Sequence, residues 1–229
     1  MKPELRRVGN SQSPVVVIDD FNGESDRVAT MADALAPFPD VDPASYYPGV
    51  RRLIEPTDES ANAYVDRVCE QAAQFVAGAF DVDGFDLLEA SFSIVSAAPS
   101  DLRPAQRAPH FDSTDQKYYA LLHYLRVPEG TGTAFYRQRS TGIERVTDGN
   151  ISTFVTTAER EAAMLPSDSG YINGSNQFFE QIGAIEAVPD RLIIYQGSLL
   201  HSGIIPAGMN LSPDPRVGRL TANFFLRGH

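Results

Sequence analysis

The segment "QKYYALLHYLR" at residues 116–126, followed after one turn by "TGTAFYRQR" at 131–139, decides the fold. Both segments are rich in aromatic and β-branched residues, and the Pro and Gly between them are typical of a turn. The same composition recurs in "LLEASFSIVS" at 87–96, "AIEAVPDRLIIYQGS" at 184–198 and "GRLTANFFLR" at 218–227. We therefore predict a succession of β-strands through the second half of the chain.

Helices are predicted mainly before these strands. "PVVVIDDF" at 14–21 has the composition of a buried strand, and apolar residues at helical spacing follow at 24–36 and 60–80. Further on, Thr156 and Glu159 form a capping box, which predicts a helix over the following "AEREAAML". A strand, then helices, then many strands predicts a mainly β fold, a barrel or jelly roll with helices at its N-terminal side.

Length and charge limit the organisation and the partners. We interpret 1–229 as one domain, in which 14–86 supplies the N-terminal strand and supporting helices and 87–227 the β core. A net charge of −11 would repel phosphate backbones and anionic membrane surfaces, so neither nucleic acid nor membrane is expected as a partner. The single cysteine, Cys69, excludes an internal disulfide, and with no signal peptide at the N-terminus we expect a cytoplasmic protein. The oligomeric state stays open.

The histidines point to a metal site. His123 lies inside an apolar strand and is interpreted as a packing residue. His110 and Asp112 are two positions apart, so in an extended chain both side chains point to the same side. His201 follows a predicted strand and could supply a third ligand once distant strands become neighbours. Two histidines and one carboxylate are the ligand set of non-haem Fe(II) oxygenases.

A basic residue downstream adds to this pattern. Arg219 opens the last strand and Thr221 lies on the same face, an arrangement able to bind a carboxylate. An inward guanidinium needs an anion, because a buried charge without a partner is costly. The alternative is that Arg219 faces solvent or pairs with Asp214.

Together these motifs resemble the Fe(II)/2-oxoglutarate-dependent oxygenases, in particular their prolyl-4-hydroxylase-like branch and an uncharacterised bacterial family within it. The matching stretches are His110-Phe-Asp112, "HYL" at 123–125, "GTGTAFY" at 130–136, His201 and Arg219-Leu-Thr221. The resemblance covers roughly residues 14 to 227 and implies a cupin-like double-stranded β-helix. It also implies an Fe(II) site made of His110, Asp112 and His201. A 2-oxoglutarate site made of Arg219, Thr221 and Tyr124 is implied as well.

The reaction that the resemblance implies consumes O₂ and converts 2-oxoglutarate to succinate while hydroxylating a small molecule or a peptide-borne side chain. Asp112 favours hydroxylation over halogenation, because halogenating relatives have a small residue in its place. One departure is the interval of 18 residues from His201 to Arg219 (219 − 201), which is longer than usual in the family. The excess is interpreted as an inserted loop, and it makes Arg216 a competing ligand for the cosubstrate.

Candidate substrate residues surround the expected mouth of the site: Gln106, Arg107, Tyr136 and Arg137. With Arg103 and Arg139 they would make the mouth basic and suited to an anionic substrate, unless these arginines pair with surface acids. Two other functions stay open from the sequence. One is a non-catalytic cupin-like module that binds a metal or ligand, and the other is a non-redox metal enzyme, such as an isomerase or hydrolase, with the same ligands.

Overall fold

A computed structural model describes residues 1–41, 45–166 and 169–229 of the protein. Within these ranges the chain forms ten β-strands and three α-helices. The strands are β1 (Lys2–Val8), β2 (Ser13–Asp19), β3 (Gly49–Leu53), β4 (Phe85–Val95), β5 (Tyr118–Arg126), β6 (Gly132–Gln138), β7 (Phe179–Glu186), β8 (Leu192–Gln196), β9 (His201–Ile204) and β10 (Leu220–Gly228). The helices are α1 (Ser25–Ala34), α2 (Glu59–Phe80) and α3 (Ile151–Ala162).

The strands form two antiparallel sheets. The larger has seven strands in the order β1-β2-β8-β5-β10-β4-β3, and the smaller has three in the order β7-β6-β9. Some strands that follow each other in the chain, β5 and β6 as well as β8 and β9, belong to different sheets. The structure therefore confirms a mainly β protein with antiparallel sheets and few helices.

One face of the large sheet is covered by helices. Alternate residues of β10, namely Ala222, Phe224 and Leu226, are buried in one apolar cluster with residues of α1 and α2. This follows from the period of two in a strand, which sends every second side chain to the same face. His123 points to this face, where its ring nitrogens contact the Tyr64 hydroxyl at 2.8 Å and the Asp190 carboxylate at 3.1 Å. Its predicted packing role is confirmed. No helix in the described part of the chain is long and apolar enough to cross a membrane.

The opposite face of the large sheet has two chemically different halves. Near β2 and β8 it is apolar, and Val15, Val17 and Ile193 share a buried cluster with Phe135 and Ile185 of the small sheet. Near β4 and β10 the corresponding inward residues are polar, a set that comprises Ser91, Ser93, Thr221 and Asn223. The two sheets therefore pack tightly at one end and enclose a polar pocket at the other.

Several elements differ from the sequence predictions. β1, β3 and β9 were not predicted as strands, and the segment predicted as one strand at 184–198 contains two. It is divided because Pro189 and Asp190 form a turn, in which Asp190 has a φ of 61°. Helix α3 begins at Ile151, ahead of the predicted capping box, since Asn150 at its N-cap already turns the chain by accepting the backbone N–H of Thr147 at 2.8 Å.

A buried carboxylate fixes the hairpin of β1 and β2 to the rest of the molecule. Glu144 accepts the backbone N–H groups of Asn10 at 2.9 Å and Ser11 at 2.8 Å, and its other neighbour is the Arg137 guanidinium at 3.1 Å. Burial alone would raise the pKa of Glu144. The hydrogen bonds from Ser11 and Asn10 and the charge of Arg137 outweigh that effect, so the pKa is lowered from 4.5. The ionised form is thus the one that the fold stabilises.

We expect Glu144→Gln to lower the free energy of unfolding at pH 7 by about 1–3 kcal/mol, because an amide NH₂ would face backbone donors. Since the pKa of Glu144 is depressed in the folded state, its contribution is complete above 4.5 and is lost as the pH falls through the folded pKa. Urea unfolding at pH 7 and below pH 4 would therefore show a difference that shrinks in acid. The exposed Glu159→Gln is the control, and an equal loss in both variants would contradict the assignment.

Candidate active site

His110 and His201 are brought together by the backbone. The N–H of His110 donates to the His201 carbonyl at 2.9 Å, and the N–H of His201 donates to the His110 carbonyl at 2.8 Å, an isolated antiparallel bridge. The N–H of Asp112 donates to the Gly197 carbonyl at 2.7 Å. These bonds hold the His110-Phe-Asp112 stretch along the end of β8 and the start of β9, although about 90 residues separate the partners (201 − 110 = 91).

The three side chains converge on one point. One ligand atom from each of His110, Asp112 and His201 lies within 4.8 Å of the other two. The two imidazole Nε2 atoms are 3.7 Å and 3.6 Å from the Asp112 oxygens, too far for hydrogen bonds. The Asp112 Oδ2 atom is buried and has no hydrogen-bond partner in the described part of the chain. An orphaned carboxylate oxygen facing two imidazoles fits a divalent metal ion, which these residues could hold.

Hydrogen bonding and burial act on each of the three side chains. The Nδ1 of His201 lies 2.8 Å from the Leu199 carbonyl, which only accepts hydrogen bonds, so Nδ1 carries a proton and Nε2 is the atom that faces Asp112. Burial, reinforced by the charge of His201, lowers the pKa of His110 well below 6.5, so this imidazole is neutral. Burial raises the pKa of Asp112 from 3.8, and the charges of His201 and Arg51 oppose that rise.

Arg219 is a buried cation that has no acidic partner among the described residues. The residue is only 3% exposed, and within the described ranges its guanidinium makes a single 3.4 Å hydrogen bond, from Nη2 to the Gly132 carbonyl. Its Nε has no hydrogen-bond partner in the described structure, and the guanidinium carbon lies 5.7 Å from the Tyr124 ring centroid. Arg216 is exposed and forms a 2.6 Å ion pair with Asp214. The alternative pairing of Arg219 with Asp214 is therefore wrong.

Two threonines and a tyrosine surround Arg219. Thr133 and Thr221 line the pocket, and the Tyr124 hydroxyl lies 2.7 Å from Thr133 Oγ1. The Thr221 hydroxyl donates to Asn223 Oδ1 at 2.8 Å. Burial raises the pKa of Tyr124, partly offset by the charge of Arg219, so the phenol stays protonated. Tyr124 lies behind Thr133 and Arg219, as part of their support.

The pocket between the sheets has a volume of about 390 Å³, and the triad, Arg219 and Thr221 all contribute to its lining. Of the predicted substrate residues, Gln106 lines it and donates to the Tyr46 carbonyl at 3.0 Å. The others are engaged elsewhere, which corrects the expectation of a mouth lined by them. Arg137 pairs with Glu144 and Glu180, Arg107 donates to the Pro166 carbonyl, and Tyr136 is buried in a separate apolar cluster.

Several pocket residues were missed from the sequence. Arg51 comes from β3, Glu89 from β4, and Asn223 from β10, while Tyr46 stacks on the His110 ring with centroids 4.8 Å apart. A strict period of two along "EASFSIVS" and "RLTANFF" would have placed Glu89 with Ser91 and Ser93, and Asn223 with Thr221, on one face. Nothing local in "GVRRL" marks Arg51, because its place depends on β3 pairing with β4.

The whole chain belongs to DUF6445, a family of unknown function that matches residues 1–226. No curated protein matches it. Among solved structures, the non-haem α-ketoglutarate-dependent epimerase SnoN from nogalamycin biosynthesis is 13% identical with a TM-score of 0.55, covering 95% of this chain and 80% of SnoN. HygX from Streptomyces hygroscopicus, with nickel and 2-oxoglutarate bound, is 15% identical with a TM-score of 0.54, covering 95% and 84%.

A third neighbour is the viral collagen prolyl hydroxylase of Paramecium bursaria Chlorella virus-1 in its 2-oxoglutarate complex. It is 11% identical with a TM-score of 0.50, and the match covers 94% of this chain and 96% of the hydroxylase. At such identities the likeness establishes a shared fold and no more. The fold of this chain is thus similar to that of Fe/2-oxoglutarate-dependent oxygenases, in agreement with the resemblance seen in the motifs.

Gly197 gives a test of how the triad is positioned. A Cβ at this position would lie 2.6 Å from the Tyr118 ring and 3.1 Å from the Asp112 Cβ, so one of the two must move. We expect Gly197→Ala to weaken the binding of Ni(II) by about 10–100-fold, because it displaces a ligand. Calorimetric titration measures this. The control is Gly78→Ala, where an added Cβ meets no atom within 4 Å. Unchanged affinity in Gly197→Ala would show that the packing against Gly197 does not position Asp112.

Proposed function

We propose that the protein is an Fe(II)/2-oxoglutarate-dependent oxygenase, and that its two sheets are the major and minor sheets of a double-stranded β-helix. The observation that carries this proposal is the buried Arg219. Its guanidinium has no acidic partner in the described structure and lines the same pocket as His110, Asp112 and His201. A metal site alone would not need a second, cationic site beside it.

The Arg219 site fits a carboxylate. Removing a guanidinium from water costs on the order of several kcal/mol, which only an anion with good hydrogen-bond geometry offsets. Arg219 offers an unused Nε donor, and Thr133 and Thr221 supply hydroxyls in the same pocket. A dicarboxylate could place one carboxylate here and the other at the metal. This placement of the two carboxylates, one at Arg219 and one at the metal, is the one proposed for 2-oxoglutarate.

Each residue then has a defined task. His110, Asp112 and His201 hold the metal by three ligand atoms, and the Leu199 carbonyl orients the His201 ring. Arg219 and Thr221 bind the distal carboxylate of 2-oxoglutarate, with Tyr124 supporting them. When bound, Fe(II) and 2-oxoglutarate supply O₂ activation coupled to decarboxylation to succinate. Since Asp112 provides a carboxylate ligand, the proposed oxidation is a hydroxylation or a related hydrogen abstraction and not a halogenation.

The substrate proposed is a small molecule. The pocket of about 390 Å³ is at the lower end of the range of ligand sites, and it has to hold the cosubstrate as well. The structural neighbour SnoN has been solved with Fe³⁺, α-ketoglutarate and nogalamycin RO, which is a small-molecule ligand. A side chain presented by a peptide is the second candidate, and comparing the binding of free amino acids with that of their N-acetyl amides distinguishes the two.

We expect Arg219→Met to weaken the binding of 2-oxoglutarate to the Ni(II)-loaded protein by about 30-fold or more, while the affinity for Ni(II) is unchanged. The metal-free variant should also be more stable than the wild type, because Met replaces a buried charge that has no partner. Calorimetry gives the affinities and thermal unfolding gives the stability.

The matched control is Arg216→Met, which removes an exposed guanidinium already paired with Asp214. It should leave the affinity for 2-oxoglutarate unaltered. If the Arg216 variant lost the cosubstrate and the Arg219 variant kept it, the assignment would be wrong. If 2-oxoglutarate bound to neither the wild type nor any variant, a non-redox metal site or a simple metal-binding module would be the better description.

A further inference from the structure

The pocket contains a second charged group that the proposed cosubstrate site does not use. Arg51 on β3 and Glu89 on β4 form an ion pair on the inner face of the large sheet, and both line the pocket with the triad. Arg51 also donates from Nη2 to the Ser91 hydroxyl at 2.9 Å. In the described structure its Nη1 and Nε make no hydrogen bond, and neither does the second oxygen of Glu89. The Arg51–Glu89 pair therefore leaves the Nη1 and Nε donors of Arg51 and one carboxylate oxygen of Glu89 available to a ligand.

Asn223 adds a further free donor beside this pair. Its Oδ1 accepts the Thr221 hydroxyl at 2.8 Å, while its Nδ2 has no hydrogen-bond partner among the described residues. The residue is 9% exposed and lines the pocket. The polar wall, defined here as Arg51, Glu89 and Asn223, thus presents two kinds of N–H donor and one carboxylate.

Contacts place this wall on the Asp112 side of the pocket. The Arg51 guanidinium lies 5.8 Å from the Phe225 ring centroid, and Phe225 is 5.5 Å from the ring of Tyr118. Tyr118 and Asp112 in turn both pack against Gly197. A ligand on the polar wall would therefore reach the metal ligands across Phe225 and Tyr118.

The Arg51 and Arg219 guanidinium groups contact different strands. Arg51 donates to the Ser91 hydroxyl and pairs with Glu89, both on β4. Arg219 donates to the Gly132 carbonyl of β6 and lies over the Tyr124 ring of β5. Because the proposed cosubstrate site uses Arg219, Arg51 is left to bind a different molecule.

We infer that the substrate is a small zwitterion of the amino-acid type, whose carboxylate binds Arg51 and Asn223 and whose protonated amine binds Glu89. This inference rests on the proposed function. Opposite charges a few ångströms apart on the wall match the opposite charges of an α-amino acid, and charged hydrogen bonds of this kind give strong discrimination. Phe225, Tyr118 and Leu122 supply apolar surface for the remainder of the molecule.

The size of the pocket supports a free molecule over a polymer. The space of about 390 Å³ is shared by the cosubstrate and the substrate, which leaves room for a molecule of few atoms. A peptide backbone would also leave the charges of Arg51 and Glu89 without matching termini. The inference therefore predicts that blocking either charged group of the amino acid abolishes binding.

The test uses the full chain loaded with Ni(II) and 2-oxoglutarate, and the probes are the proteinogenic L-amino acids. Each is compared with its deaminated acid, its decarboxylated amine and its N-acetyl amide. Binding is measured as a rise in the thermal unfolding temperature and then by calorimetry. At least one free amino acid should bind, and each of its three altered forms should bind about tenfold more weakly or not at all.

Variants separate the two charges. Arg51→Met should weaken binding of the amino acid and of the deaminated acid by about tenfold or more. Glu89→Gln should weaken binding of the amino acid but not of the deaminated acid. Arg227→Met, which removes an exposed arginine of β10, is the matched control and should change neither. Unaltered affinity for 2-oxoglutarate in every variant shows that the pocket is intact.

Each failure has a distinct meaning. If 2-oxoglutarate does not bind to the wild type, the proposed function is wrong. If 2-oxoglutarate binds but no free amino acid does, or the N-acetyl amides bind as tightly as the free forms, the inference is wrong while the oxygenase assignment stands. Equal effects of Glu89→Gln on the amino acid and on the deaminated acid would show that the Arg51–Glu89 pair only stabilises the sheet.

Discussion

Arg219 carries a positive charge into an interior where it is 3% exposed and meets no carboxylate in the described structure. A stable fold tolerates such a charge when the surrounding groups are polar or when an anionic ligand neutralises the charge. Arg219 shares its surroundings with the hydroxyls of Thr133 and Thr221, the Tyr124 phenol and the Gly132 carbonyl. These groups orient the guanidinium without neutralising it. The pocket thus contains a positive charge that only an anion would neutralise.

The two-sheet architecture produces this site by dividing one sheet face into two. At the β2 and β8 end, aliphatic and aromatic residues join the sheets in a dry core. At the β4 and β10 end, serine, threonine and asparagine replace them and the sheets separate. The apolar end supplies the stability that the polar end lacks, and the triad lies where the loop that carries His110 pairs with His201 at the start of β9.

Much of the candidate site could be predicted from local sequence. The spacing of His110 to Asp112 and of Arg219 to Thr221 encodes a shared side, because alternation in an extended chain is a local property. That His201 joins them was also an expectation from the sequence, and it depends on pairing between segments far apart in the chain. Arg51 could not be predicted, since β3 is short and its position follows only from its pairing with β4.

The charge of a residue was the least reliable predictor of whether its side chain lines the site. Arg137 and Arg107 were expected at the mouth because they are basic and close in sequence to the site. Arg137 instead neutralises Glu144 and Glu180, and Arg107 binds a backbone carbonyl. In an acidic protein most arginines pair with surface acids, so the informative ones are those, such as Arg219, that contact none of the described acids.

The measurement that tests the central claim most directly is the anaerobic absorption spectrum of the protein with Fe(II) and 2-oxoglutarate. If the His-Asp-His site and Arg219 hold metal and dicarboxylate together, a weak charge-transfer band appears in the visible only when both are present. A spectrum that is unchanged when 2-oxoglutarate is added to the fully Fe(II)-loaded protein would contradict the account.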